Sequence, residues 1–275
     1  MEEKIVLSVI VPIYNGAMYI DRLIQMFLSQ DFQKFEVIFV DDGSTDETLN
    51  KCRLYSEKYL WIHVIHTENF GVSHARNKGL EKAKGYWIHF IDADDWIEKN
   101  MFSVFYEKAF KYGTDMILCS CSQKTESRER FCGPSENRKI DREGIRQLLT
   151  GLSMENRYWL LDYVWNKWYR RDILNTEKIR FRENVSKGED FIFNTEYMKK
   201  ITSAFFLKHA YYYYHISSYG LAGRFREKPW IEREELYEAQ KKLYLSLDIW
   251  QQNEQWIQRQ AGRIAFGDIR TVNNE

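Results

Sequence analysis

Cysteine is scarce in this sequence and proline scarcer, with four of the first and three of the second. Cys52, Cys119, Cys121 and Cys132 have neither the paired spacing of a zinc knuckle nor the density of a disulfide framework. They read as free, buried thiols of a reducing compartment. So little proline beside 44% hydrophobic and 16% aromatic residues excludes a collagen-like or disordered chain. No charge of one sign prevails: Lys plus Arg number 40, Asp plus Glu number 40, and the formal net charge is zero. Nucleic-acid binders carry a basic surplus, so no nucleic-acid partner is expected. No run approaches the roughly twenty apolar residues of a membrane-spanning helix. Met1-Glu2-Glu3-Lys4 leads into an apolar segment without a leader pattern. A soluble cytoplasmic chain is expected, whose surface is still free to touch the inner face of the cell membrane. A Gly-x-Gly-x-x-Gly fingerprint and a Gly-Lys-Ser/Thr phosphate loop are both absent, which counts against NAD-dependent and P-loop chemistry.

What is present is an alternation of strands and helices. Residues 5–13 are a β-branched apolar run stopped by Asn15-Gly16, a buried strand. Residues 19–29 space their apolar side chains as a helix does. Strands follow at 35–40, 61–66, 86–91 and 115–120. Helices are expected at 45–58, at 73–84 before Gly85, and at 100–112. Such alternation predicts an α/β fold, a Rossmann-like, mostly parallel central sheet with helices on both faces. The second half differs. Residues 123–139 read as a surface loop or short exposed hairpin, and 140–149 as a helix with Asp141 as a candidate cap. Residues 159–182 are dense in Trp, Tyr, Lys and Arg. A helix at 189–200, a strand at 205–215 holding Tyr211 to Tyr214, and a long helical stretch at 231–264 complete the pattern. The division expected is 1–122, 123–222 and 223–275.

In open α/β sheets, ligands bind at the carboxyl ends of the strands. Two acidic clusters fall there: Asp41-Asp42 after the second strand, and Asp92, Asp94 and Asp95 after the fourth. Carboxylates crowded together repel and lose hydration. A hard divalent cation relieves both costs and also neutralises phosphate oxygens. Aspartates also open turns and cap helices, and one such cluster alone would read that way. Two at neighbouring strand ends favour chemistry.

The segments taken in order resemble a known family. They are Val9-Ile10-Val11-Pro12-Ile13-Tyr14-Asn15, Val40-Asp41-Asp42-Gly43-Ser44-Thr45-Asp46, Asn69-Phe70-Gly71-Val72-Ser73-His74-Ala75-Arg76-Asn77-Lys78-Gly79-Leu80 and Phe90-Ile91-Asp92-Ala93-Asp94-Asp95-Trp96. Asn166-Lys167-Trp168-Tyr169-Arg170-Arg171 and Gly188-Glu189-Asp190-Phe191 follow. Over roughly residues 5–220 the chain resembles the GT-A fold glycosyltransferases of family 2, inverting nucleotide-sugar enzymes that build bacterial surface polysaccharides. The resemblance implies a GT-A fold with a small acceptor-side subdomain and C-terminal helices. It implies a nucleotide-sugar donor, by default a UDP-sugar, and Mn²⁺ or Mg²⁺. The acceptor would be a glycan or lipid-linked oligosaccharide. Pro12 and Tyr14 would line the base site, and Asp42 would accept a hydrogen bond from uracil. The donor segment Asp92-Ala93-Asp94 would meet ribose and metal, Asp94 as main metal ligand and Asp92 beside it or in its water shell. Arg76 and Lys167 would help hold the donor. Asp190 would be the catalytic base, with Glu189 orienting it or touching the acceptor.

Two features depart from the family pattern. His215 stands where many relatives carry arginine, and is a candidate metal ligand or phosphate contact. The sequence also stops where many relatives continue through helices. The residues themselves leave other readings open. Asp190 would serve equally as a helix-start acid. Trp165, Trp168 and Tyr169 would pack a core or form a sugar-stacking wall. The C-terminal stretch would pack on its own chain, pair with a second copy in a homodimer, or lie on a membrane. A nucleotidyltransferase on a similar scaffold and a non-catalytic carbohydrate-binding protein are the competing functions.

Overall fold

The computed structural model describes residues 5–124, 129–151, 158–185, 187–215, 229–255 and 257–258. Its first half follows the expected alternation: β1 (Leu7–Ile13), α1 (Ala17–Leu28), β2 (Phe35–Asp42), α2 (Thr48–Lys58), β3 (Ile62–Thr67), α3 (Val72–Lys82) and β4 (Trp87–Phe90). β5 (Trp96–Ile97), α4 (Met101–Tyr112) and β6 (Met116–Lys124) come next. The second half adds β7 (Glu129–Cys132), β8 (Arg138–Asp141), α5 (Arg142–Gly151), α6 (Tyr158–Leu161), β9 (Lys167–Arg170), α7 (Arg171–Thr176), α8 (Glu189–Met198), β10 (Ser203–His215) and α9 (Pro229–Ser246).

One sheet runs through the molecule in the order β3-β2-β1-β4-β9-β6-β10-β5, with β7 beside β6 and β8 beside β10. The β3-β2-β1-β4 part is parallel throughout. β1 and β2 read as continuous apolar runs because helices cover both faces. Val9, Val11, Val37 and Phe39 meet α1 and α2 on one side, and Ile10, Ile38 and Val40 meet α3 on the other. α3 lies so close to β1 that a Cβ on Gly79 would stand 2.3 Å from Ile10 Cγ2. Gly85, expected to close α3, instead admits close backbone approach: a Cβ there would sit 2.4 Å from Ser8 N.

Beyond β4 the sheet becomes mixed. β9 enters antiparallel between β4 and β6, and β10 then runs parallel to β6. No strand was expected at 167–170, because its aromatic and basic residues carry no apolar alternation. Trp168 and Tyr169 are core residues on its two faces. The hairpin alternative for 123–139 is realised in β6 and β7, and Asp141 does cap α5, its Oδ1 accepting from Gly144 N at 2.8 Å. Tyr212 is fully buried while Tyr211, Tyr213 and Tyr214 are half-buried, since register shifts between Leu207 and Tyr212 break the simple alternation of β10. The thiols of Cys52, Cys119, Cys121 and Cys132 are free, and all but Cys132 are buried.

α9 packs against α8 through Leu236, Ala239 and Ile192, and Leu243, Tyr244, Leu247 and Trp250 join the main core. The described part of the C-terminal stretch therefore packs on its own chain. It is broken where Asp248 takes φ +56°, so the single long helix expected over 231–264 ends at Ser246. The part of that helix from 259 onward lies outside the described residues. Among the described residues no helix is long and apolar enough to cross a membrane.

Candidate active site

The strand ends gather as the topology requires. The loop after β1 is fastened to the loop after β2: Asn15 N donates to Ser44 Oγ at 2.9 Å, Gly16 N to Thr48 Oγ1 at 2.8 Å and Ala17 N to Asp46 Oδ2 at 3.1 Å. These bonds hold Ser44 to Asp46 out of the helix, so α2 starts at Thr48 rather than near Thr45. Pro12 occupies β1 opposite Val40, and Tyr14 projects from the loop with 47% of its surface exposed. The same loop reaches the second acidic cluster, since a Cβ on Gly16 would lie 4.0 Å from Ala93 Cβ.

Asp41 and Asp42 are both buried. Asp42 accepts from Phe70 N at 3.0 Å and from Gly71 N at 2.9 Å, which fixes the β3–α3 loop. Asp41 Oδ2 lies 2.7 Å from His66 Nδ1, and its Oδ1 accepts from Ser44 N at 3.3 Å. His66 is a strand-end histidine that sequence reasoning missed; its register opposite Asp41 appears only with the β2–β3 pairing.

The turn after β4 sorts its three aspartates. Asp95 is buried and structural: its Oδ2 accepts from Tyr212 Oη at 2.5 Å and its Oδ1 from His215 N at 2.9 Å. Burial, with Asp92 next, holds its carboxyl well above the ordinary range. Asp92 is partly exposed and pairs with Arg76 Nη2 at 3.1 Å. Asp94 is half-buried, and burial followed by the Asp92 charge raises its pKa. Arg22 of α1 anchors the turn through Asp94 O at 2.6 Å. His215 lies near Asp94.

Arg76 joins this turn to α8. Its Nη1 donates to Asp190 Oδ1 at 2.7 Å and to Glu189 Oε1 at 3.3 Å, while Nη2 holds Asp92. The guanidinium is 4% exposed and packs over the Phe181 ring. Burial opposes its charge, but Asp190, Asp92 and Glu189 together raise its pKa. Its Nε is buried with no hydrogen-bond partner among the described residues. Asp190 Oδ2 accepts from Val164 N at 3.3 Å. Burial pushes the Asp190 carboxyl up to about 7 against the opposing pull of Arg76.

Lys167 does not face this cleft. It is fully buried, and its Nζ donates to Trp159 O at 3.1 Å, to Asn166 Oδ1 at 2.6 Å and to Tyr163 O. Burial pushes its amine down to about 7. It fastens the α6–β9 loop that presents Val164 N to Asp190. That loop also carries Asp162, a further residue the sequence did not single out, whose carboxyl is pushed up to about 7 by burial. Tyr163, Trp165 and Tyr214 stack in the same region, with Trp165 centroids 4.6 Å from Tyr163 and 5.4 Å from Tyr214. Trp165 is buried while Tyr163 and Tyr214 stay partly open.

One guanidinium thus faces three carboxylates, with Asp94 close by. The negative surplus and the orphaned donor mark a site with unmet charge and hydrogen-bonding capacity. Among the described residues no group of three or more His, Cys, Asp or Glu side chains is arranged to hold a metal by itself. An ion held by one or two carboxylates and by substrate phosphates needs no such group, and Asp94 with Asp92 fits that smaller set.

Residues 8–177 match the family described as Glycosyl transferase family 2. The chain is 30% identical over 209 residues to the uncharacterized glycosyltransferase EpsJ of Bacillus subtilis, a match covering 75% of this chain and 60% of EpsJ. It is 31% identical over 234 residues to the glycosyltransferase GlyA of Streptococcus pneumoniae, covering 83% of this chain and 33% of GlyA. The crystal structure of S. aureus TarS 1–349 in complex with UDP-GlcNAc is similar at a TM-score of 0.72 and 26% identity, over 88% of this chain and 66% of that one. The chain spans less than two thirds of the length of each of these relatives.

Proposed function

The chain belongs to glycosyl transferase family 2, and from that premise we propose that it is an inverting transferase moving a sugar from a nucleotide-sugar to a hydroxyl of a glycan or lipid-linked oligosaccharide. The observation that carries the reading is Arg76, which ties Asp92 at the β4 end to Glu189 and Asp190 at the start of α8. Donor-side and base-side carboxylates thereby share one cleft. A UDP-sugar is the donor assigned, in line with the UDP-GlcNAc held by TarS, which this chain resembles.

In this reading Asp190 is the general base. Its raised pKa suits proton removal near neutrality, because a base with a pKa near the working pH is both available and strong enough. It takes the acceptor hydroxyl proton as that oxygen attacks the anomeric carbon opposite the departing nucleoside diphosphate. Arg76 fixes Oδ1 and Val164 N–H fixes Oδ2, so the carboxylate is oriented before substrate arrives. Glu189 completes the Arg76 pairing. Tyr14 offers an aromatic face to the base beside Pro12. Asp94 and Asp92, with His215 near, would hold Mn²⁺ or Mg²⁺, which when bound neutralises charge on the leaving diphosphate. The half-open Tyr163 and Tyr214 rings offer the acceptor a stacking face.

The test is a hydrolysis and transfer screen over UDP-, GDP- and TDP-sugars with Mn²⁺ or Mg²⁺, reading released nucleoside diphosphate. Release that needs metal and is lost in Asp94→Ala supports the transferase. Consumption of nucleoside triphosphate with pyrophosphate release would instead establish a nucleotidyltransferase. Failure to bind any nucleotide would point to a carbohydrate-binding protein.

A further inference from the structure

Two of the four thiols meet across the hairpin of β6 and β7. Cys121 and Cys132 are register partners in this antiparallel pair. Residues directly opposite in such a pair present their side chains on the same face. Their Cα atoms stand about 4.5 or 5.5 Å apart, according to the bonding of the pair, and a disulfide spans about 4.4–6.8 Å between Cα atoms. The backbone therefore needs no rearrangement to accept a bridge. Cys121 Sγ already reaches across the ladder and donates to Cys132 O at 3.4 Å.

The two sulfurs are unequal. Cys121 is fully buried, whereas Cys132, the last residue of β7, is half-buried. Hydrogen bonding from Cys121 draws the Cys132 thiol down to about 7 against the effect of burial, with Arg130 and Lys167 adding to the pull. The same bond, followed by burial, pushes Cys121 up. An accessible sulfur that ionises near neutrality thus stands against a protonated thiol, the division between an attacking and a resolving cysteine. Cys52 and Cys119 are buried, and burial pushes both up to about 12. The pair lies beside the aromatic group of the α6–β9 loop: Gln123, two residues on from Cys121 and on the same face of β6, donates to Tyr163 Oη at 3.0 Å.

We propose that Cys132 and Cys121 form a reversible oxidation site for hydroperoxides, closing to a disulfide between β6 and β7. The Cys132 thiolate attacks one oxygen of hydrogen peroxide. An S–O bond forms, the O–O bond breaks, and hydroxide leaves with the proton that Cys132 has shed, as water. The sulfur is oxidised to a sulfenic acid and the peroxide is reduced. Cys121 then gives up its proton and attacks the sulfenic sulfur. The S–S bond forms, the S–O bond breaks, and the departing hydroxide takes the Cys121 proton as a second water. The chemistry is separate from sugar transfer and needs no nucleotide.

Trypsin cuts after Lys124 and Arg130, so Cys121 and Cys132 fall on separate peptides. The full chain is treated with a small excess of hydrogen peroxide, free thiols are blocked, and the peptides are mapped without reductant. A bridge joining the two peptides within one chain is expected in the parent and in Cys119→Ala, and dithiothreitol should remove it. Cys121→Ala should form no bridge and should instead hold Cys132 as a sulfenic acid that dimedone traps. In the untreated chain, iodoacetamide should label Cys132 about tenfold or more faster than Cys52 or Cys119. Thermal melts establish that each variant is folded. A folded parent whose Cys132 peptide stays unbridged overturns the site. So does a bridge that survives Cys121→Ala, or one found only between two chains. Labelling of Cys132 no faster than of Cys119 overturns its role as the attacking sulfur.

Discussion

Arg76 Nη1 stands 2.7 Å from Asp190 Oδ1, and the same guanidinium reaches Asp92 through its other terminal nitrogen. A single cation therefore sets two opposing demands on Asp190: it lowers the carboxyl pKa while burial raises it to about 7. Transfer should rise with pH through an apparent pKa near 7, as the base sheds its proton. In Arg76→Met the rising limb should move to higher pH, because the lowering charge is gone. A pH profile of kcat/KM under saturating acceptor checks both. Asp190→Asn should lower kcat by about 100- to 10,000-fold while nucleotide binding persists.

Asp94 and Asp95 are neighbours with different duties. Asp95 is held by Tyr212 Oη and His215 N, so Asp95→Ala removes acceptors from a buried turn and should cost about 1–3 kcal/mol of stability. Asp94 has no such side-chain partner among the described residues, so Asp94→Asn should leave the denaturation midpoint nearly unchanged and abolish metal-dependent binding of UDP. Urea titrations paired with calorimetry separate the two.

The buried amine of Lys167 makes stability depend on alkaline pH. Its pKa falls from 10.5 in the unfolded chain to about 7 in the fold. Between those values the unfolded chain binds more protons, so this group's contribution favours the fold increasingly as pH rises. Below about 7 the charged amine must be kept in the interior and its penalty is complete. Lys167→Met should flatten the rise in unfolding free energy between pH 7 and 10, measured by guanidinium denaturation across that range.

Gly85 and Ser8 are in backbone contact. Because the obstacle is Ser8 N at 2.4 Å and Leu7 C at 2.6 Å, no rotamer change relieves a new methyl group. Gly85→Ala should destabilise the chain by about 1–3 kcal/mol. The measurement is a shift in denaturation midpoint, with nucleotide affinity unchanged in the variant that remains folded.

β1 and β2 were legible because Val, Ile and Phe fill both faces of buried parallel strands. The acid turns were legible because they sit where those runs stop. β9 was not, since Lys167 carries a charge into the interior and masks the strand around it. The same charge suggested a donor contact, whereas the amine turns to carbonyls of its own loop. His66 was hidden because its importance lies in facing Asp41 across a strand pair, a relation that spacing does not express. The end of α9 was hidden because the Gln- and Glu-rich pattern continues past the break at Asp248.

The insertion of β9 bears on how the chain is made. β4 ends at Phe90, yet its second neighbour begins only at Lys167, and that same strand closes the flank of β6. Until residue 170 has been synthesised, two inner strands have unpaired backbone edges open to other chains. Pairing across so long a stretch of sequence is also slow, since the closing of a large loop precedes any gain from contact. Folding of the β3-β2-β1-β4 part thus waits on the segment that carries the loop bonded to Asp190. A chain released early would leave the ribosome with a sticky, unfinished sheet.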